Sequence, residues 1–124
     1  MANPQLLAHS DARPGGYRDI SPLAAIEHLD ELRLVDVREP DEFVGPLGHL
    51  GGSELIPMNS VLSAATTWDR QAPLLLICRS GARSARVAMA LAAMGFQHLF
   101  NLNGGMLAWE ANGFPRELGA GGPA

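Results

Sequence analysis

A chain of 124 residues that is 47% hydrophobic has material for one buried core, and with 18% charged residues it is not the composition of a disordered protein. A net charge of −4 argues against nucleic acid as the main partner, and no run approaches the roughly 18 apolar residues of a membrane span. The single cysteine excludes an intramolecular disulfide and suits a reducing compartment, and the first residues lack the basic start and apolar stretch of a signal peptide, so a cytoplasmic protein is expected.

Residues 1–16 are polar, hold Pro4, Pro14 and the Gly15-Gly16 pair, and are expected to be a mobile arm. One domain is expected over residues 17–116, followed by a flexible tail over 117–124. Tyr17 to Ile20 suits a short edge strand. Ser21 as N-cap and Pro22 at the first helical position open a short helix to about Asp30, with Leu23, Ile26 and Leu29, joined by Ala25, as its buried face. Leu32 to Val37 reads as a strand. One helical turn follows over Asp41 to Val44, and the glycines and prolines from Gly45 to Gly52 alternate too closely for anything but loop. Glu54 to Pro57 suits a short strand, and Ser60 to Thr67 a helix using Val61, Leu62 and Ala65.

Leu74 to Ile77 is unbroken apolar sequence, the mark of a strand covered on both faces of a parallel sheet. Val87, Ala90, Leu91 and Met94 then recur at helical spacing, and Gly95-Phe96 supplies a C-terminal stop. Gln97 to Leu102 is the last strand and Met106 to Ala111 the last helix. Strands alternating with helices in this way predict an α/β fold, a central mostly parallel sheet of about five strands flanked by helices on both faces.

Such sheets place their sites at the carboxyl ends of strands, and Cys78 stands at one. Between Asp69 and Glu110 there is no acidic residue, while Arg70, Arg79, Arg83, Arg86 and His98 all fall inside that interval. An acidic chain that clears negative charge from one stretch and sets three arginines close together there suits an anionic substrate. Cys78 is therefore the candidate nucleophile. Arg79, Ser80, Gly81, Ala82, Arg83 and Ser84 form a candidate anion-binding loop, in which backbone N–H groups and the start of the next helix would lower the thiol from its free pKa of about 8.5. With no second cysteine, whatever forms on Cys78 must be removed by an external molecule. One cysteine and four scattered histidines lack metal-ligand spacing, and no phosphate-loop or dinucleotide fingerprint occurs, so neither a metal nor a cofactor is expected.

The segment Cys78-Arg79-Ser80-Gly81-Ala82-Arg83-Ser84 resembles the active-site loop of the rhodanese superfamily of thiosulfate sulfurtransferases. Leu34-Val35-Asp36-Val37-Arg38-Glu39, Gly48-His49-Leu50-Gly51-Gly52 and Leu102-Asn103-Gly104-Gly105-Met106-Leu107-Ala108-Trp109 resemble further family segments, in the family's order. Gly51 departs from the usual proline, and Gly45-Pro46 reads as a small insertion bearing on one wall of the site. The resemblance implies a single-domain rhodanese-like fold and a double displacement. The Cys78 thiolate takes the outer sulfur of a small anionic donor such as thiosulfate, and a thiol acceptor, small molecule or protein, or cyanide then removes it. It also implies that Arg79 meets the donor's anionic end and that Asp36 and Arg38 are structural support; His49, which has no context for a base beside Cys78, is read as support that shapes its glycine loop. Neither nucleic acid nor membrane is an expected partner.

Two other readings stand beside this one. Cysteine phosphatases and arsenate reductases use a similar cradle with five residues between cysteine and arginine, whereas four separate Cys78 from Arg83. A rhodanese-like module that only binds partners usually lacks the cysteine that this chain retains.

Overall fold

The structure is a computed structural model that describes residues 3–119. Among the described residues six strands form one sheet, β1 (Ser10–Arg13), β2 (Tyr17–Ile20), β3 (Arg33–Asp36), β4 (Glu54–Leu55), β5 (Leu74–Ile77) and β6 (Leu99–Leu102), in the order β1-β2-β6-β5-β3-β4. Only the β1–β2 pair is antiparallel. The helices are α1 (Pro4–Ala8), α2 (Pro22–Ala25), α3 (Pro40–Phe43), α4 (Met58–Ala64), α5 (Ala82–Ala93) and α6 (Gly105–Ala111).

β5 lies between β3 and β6, and its four residues are at most 1% exposed. Successive side chains of a strand point to opposite faces, so β5 feeds two cores. Leu75 and Ile77 pack with Leu34, Phe100 and Leu102 against Leu6, Met106 and Trp109. Leu74 and Leu76 pack with Val35, Val37 and Leu99 against Val61, Val87 and Leu91 on the other side. Each such fully buried aliphatic side chain stabilises the fold by roughly 1.5–3 kcal/mol. Cys78 continues the alternation of Leu74 and Leu76 and sits in this second core, beneath the start of α5.

α5 ends where the sequence places its stop. Gly95 is left-handed (φ 98°), and the Phe96 N–H returns to the Leu91 carbonyl at 3.2 Å while the ring is buried.

Three expectations need correction. Residues 4–13 are not an arm: they form α1 and β1, Leu6 is 1% exposed, and β1 covers the edge that β2 would otherwise present. The turn between them uses Gly15 and Gly16 at positive φ, and the Arg18 guanidinium ties the hairpin back to Ser10 Oγ (2.7 Å) and the Leu7 carbonyl (3.0 Å). This hairpin supplies the sixth strand. The helix after Ser21 is a single turn, too short to carry a 3.6-residue stripe, so Leu23 faces solvent at 66% exposure while Pro22 and Ala25 are buried. Glu117, expected to open the loose tail, makes a two-way backbone bridge with His49 (2.8 and 2.9 Å); residues 120–124 of that tail lie outside the described residues.

Candidate active site

The Cys78 side chain is 1% exposed, and its sulfur has two polar neighbours. The Gly81 N–H donates to Sγ at 3.0 Å, and the Ser84 hydroxyl oxygen lies 3.2 Å from it. Among the described residues Gly81 supplies the only backbone N–H bonded to the sulfur. Gly81 is also the N-cap of α5, left-handed at φ 99°, and this turn lets the chain pass directly from the strand end into the helix.

The carbonyls of the loop are drawn to its other side. The Met106 and Leu107 N–H groups, in the first turn of α6, donate to the Cys78 and Arg79 carbonyls at 2.9 and 3.0 Å. Asn101 Nδ2 and the Ala85 N–H donate to the Gly81 carbonyl, both at 3.2 Å. In a trans peptide the carbonyl and the following N–H point in opposite directions. Anchoring these three carbonyls therefore turns the Arg79, Ser80 and Ala82 N–H groups away from α6 and Asn101. Gly105 makes the approach possible: a Cβ there would collide with the carbonyls of Cys78 and Arg79.

Ser84 Oγ also lies 2.5 Å from Asn101 Oδ1, and Asn101 Nδ2 donates to Asp19 Oδ1 at 3.0 Å. Asp19 and Asn101 are directly paired between β2 and β6, and Asn101 is paired with Leu76 of β5, so the polar row runs across the sheet on the α5 side. Asn101 is 3% exposed and Ser84 0%.

The candidate loop residues do not all face one point. Arg79 and Ser80 are exposed, as is Ala82 at the start of α5. Arg79 lines a cavity of about 360 Å³ with Arg38, Asp41, Glu42, Gly45, Pro46 and Leu47, so Gly45 and Pro46 form part of that cavity's wall. Arg83 is turned to Glu42 of α3, Nη1 to Oε2 at 2.8 Å and Nη2 to Oε1 at 2.7 Å. This bidentate pair raises Arg83 further above its usual range and, against partial desolvation, holds Glu42 down at about 2. Arg86 lies in a separate groove with Met58, Asn59 and Leu62.

Of the three residues expected to give structural support, Asp36 pairs with Ile77 at the end of β5 and Arg38 lines the cavity with Arg79, while His49 packs on Phe43. Arg38 Nη2 donates to Asp36 Oδ2 at 2.7 Å and to the Gly48 carbonyl at 2.8 Å, and Nη1 to the Glu42 carbonyl at 3.2 Å. One buried guanidinium thus joins the end of β3 to both ends of the cavity wall. His49 Nδ1 is 2.9 Å from the Phe43 carbonyl and must be the donor, because a carbonyl only accepts; its ring stacks on Phe43 at 3.7 Å between centroids. Among the described residues no group of three or more His, Cys, Asp or Glu side chains is placed to hold a metal ion, and no histidine bonds the sulfur.

Sequence reading overlooked Asn101, Asp19 and Glu42. The available signal for Asn101 was a lone amide inside the apolar run Leu99-Phe100-Asn101-Leu102, since a buried polar side chain needs partners.

The family model for the rhodanese-like domain matches residues 21–112. The chain belongs to the rhodanese-like domain family. It is 36% identical over 110 residues to the thiosulfate sulfurtransferase GlpE of Ectopseudomonas mendocina, covering 85% of this chain and 94% of that one. A crystal structure of a rhodanese-related protein from Thermoplasma volcanium superposes with a TM-score of 0.72 at 28% identity, covering 80% of this chain and 96% of that one. The polysulfide-sulfur transferase homodimer of Wolinella succinogenes gives 0.71 at 26% identity, covering 94% and 86%. The rhodanese-like fold and a family of sulfurtransferases are thereby established. No helix among the described residues is long and apolar enough to cross a membrane.

Proposed function

We propose that the chain is a sulfurtransferase that moves a sulfane sulfur from thiosulfate, or a related persulfide or polysulfide, to a thiol acceptor through a persulfide on Cys78. The observation that carries this reading is the orientation of the loop. Its carbonyls are bound to α6 and Asn101, so its N–H groups are left to a negative charge beside the sulfur. The Cys78 thiolate attacks the outer sulfur of thiosulfate, the donor's S–S bond breaks, and sulfite departs with the electron pair. The negative charge then rests on the outer sulfur of the persulfide. An acceptor thiolate attacks that sulfur, and Cys78 leaves as thiolate, so no resolving cysteine is needed in the chain. Arg79, which lines the cavity and among the described residues has no carboxylate within salt-bridge distance, is the cation for the donor's anionic end. A free reactive thiol also suits the cytoplasm.

A cysteine phosphatase is less well supported. Its arginine would have to face the phosphoryl group, and Arg83 is engaged by Glu42. The deciding experiment is the intact mass of the protein after incubation with thiosulfate, beside Cys78→Ala. The expected result is a gain of one sulfur in the wild type only, reversed by cyanide with release of thiocyanate. No gain with either thiosulfate or polysulfide sinks the reading.

A further inference from the structure

The polar row behind the sulfur has a direction that its geometry fixes. Asn101 Nδ2 faces two groups that can only accept, the Asp19 carboxylate at 3.0 Å and the Gly81 carbonyl at 3.2 Å. The amide is therefore oriented, and Oδ1 is the atom facing Ser84. Two oxygens 2.5 Å apart require a proton between them, and an amide oxygen has none to give. Ser84 supplies it. A hydroxyl has one proton, so the contact from Ser84 Oγ to Cys78 Sγ at 3.2 Å presents a lone pair to the sulfur, not a hydrogen.

We propose that Asn101, backed by Asp19, is a positioning residue that commits the Ser84 proton away from Cys78 and so favours an inner sulfur that carries no charge. A neutral thiol suits the arrangement, because S–H can donate to Ser84 Oγ. The row works against the thiolate, whose charge is left to the Gly81 N–H at 3.0 Å: either a lone pair faces the charge, or Ser84 turns to the sulfur and leaves Asn101 Oδ1 buried without a donor. The inner sulfur of a persulfide is also uncharged, so the same row directs negative charge to the outer sulfur, beneath the loop N–H groups. That last step rests on the sulfurtransferase reading, whereas the proton arrangement does not.

The charged groups around the sulfur are few. On α5 there is Arg83, whose charge is shared with Glu42 of α3; at the end of β3 there is the Asp36–Arg38 pair. On β2 there is Asp19, which also meets Arg13 of β1 at 3.5 Å, and in the loop there is Arg79. The first turns of α4 and α6 carry no charged residue.

The test is the pH dependence of iodoacetamide alkylation at Cys78 in the wild type, Asn101→Leu and Ser84→Ala. Asn101→Leu releases the Ser84 proton to the thiolate, and the pH of half-maximal alkylation is expected to fall by about one unit. Ser84→Ala removes the opposing lone pair and is expected to lower it by roughly half as much. If Ser84 instead served as a donor to the thiolate, Ser84→Ala would raise the midpoint. An unchanged or higher midpoint in either folded variant overturns the proposal, and should Asn101→Leu fail to fold, Ser84→Ala decides alone. Alkylation needs no sulfur donor, so this outcome is independent of whether sulfur is transferred.

Discussion

Two arginine–carboxylate pairs flank the sulfur loop, and they are built differently. Asp36 and Arg38 stand two residues apart, are at most 1% exposed, and share several hydrogen bonds. Glu42 and Arg83 stand 41 residues apart and keep a quarter to a third of their side-chain surface in solvent. The first pair fixes the shape of the cavity wall, and the second ties that wall to α5. Together they show that an arginine near a site in sequence is not thereby available to its ligand. Of Arg38, Arg79 and Arg83, two are engaged by carboxylates of the chain itself, and only Arg79 has no carboxylate within salt-bridge distance among the described residues.

Breaking the buried pair should have the largest effect. Arg38→Ala leaves Asp36 charged and enclosed, with an expected loss of about 3–5 kcal/mol of stability in chemical denaturation. Less than about 1 kcal/mol would mean that water reaches Asp36 and that the two pairs differ little. Arg79→Ala should leave stability near that of the wild type and raise KM for thiosulfate about tenfold, roughly 1.4 kcal/mol of lost binding. An unchanged KM would remove Arg79 from donor binding. Glu42→Gln should act in the opposite direction, freeing Arg83 and lowering KM about threefold, with a stability cost below about 1 kcal/mol because solvent reaches both partners.

The half-buried pair should also have a pH signature, the smallest effect of the set. Glu42 has its carboxyl held at about 2 in the folded chain against 4.5 when free. Its contribution to stability is thus complete above about pH 4.5 and is lost as pH falls towards 2. The stability gap between wild type and Glu42→Gln should be level from neutral pH to about 5 and close below that. A gap still open near pH 2 would place the difference somewhere other than this carboxylate.

What could be read in advance depended on how far apart the cooperating residues lie. β5, Cys78 and α5 are one continuous stretch, and an apolar run followed by a 3.6-residue period sufficed to place the sulfur at a strand end beneath a helix start. The Gly95 stop was legible for the same local reason. The Asp19–Asn101 contact spans 82 residues and exists only because β2 and β6 are neighbours in one register. Nothing local predicts that pairing. The pairing of Glu42 with Arg83 likewise depends on how α3 is laid against α5. β1 escaped notice because only Ser10 of its four residues is buried, so it shows no apolar alternation. Leu23 was misplaced because a stripe argument needs more than one helical turn.

The bonds from α6 to the sulfur loop also bear on how the molecule breathes. The first amides of a helix have no carbonyl within the helix to accept them, and they ordinarily trade their hydrogens with water quickly. In α6 the amides of Met106 and Leu107 are instead closed off by the carbonyls of Cys78 and Arg79. Their deuterium uptake is therefore governed by opening of the sulfur loop and not by fraying of their own helix. Two backbone positions outside the loop thus record, hydrogen by hydrogen, how often it comes apart.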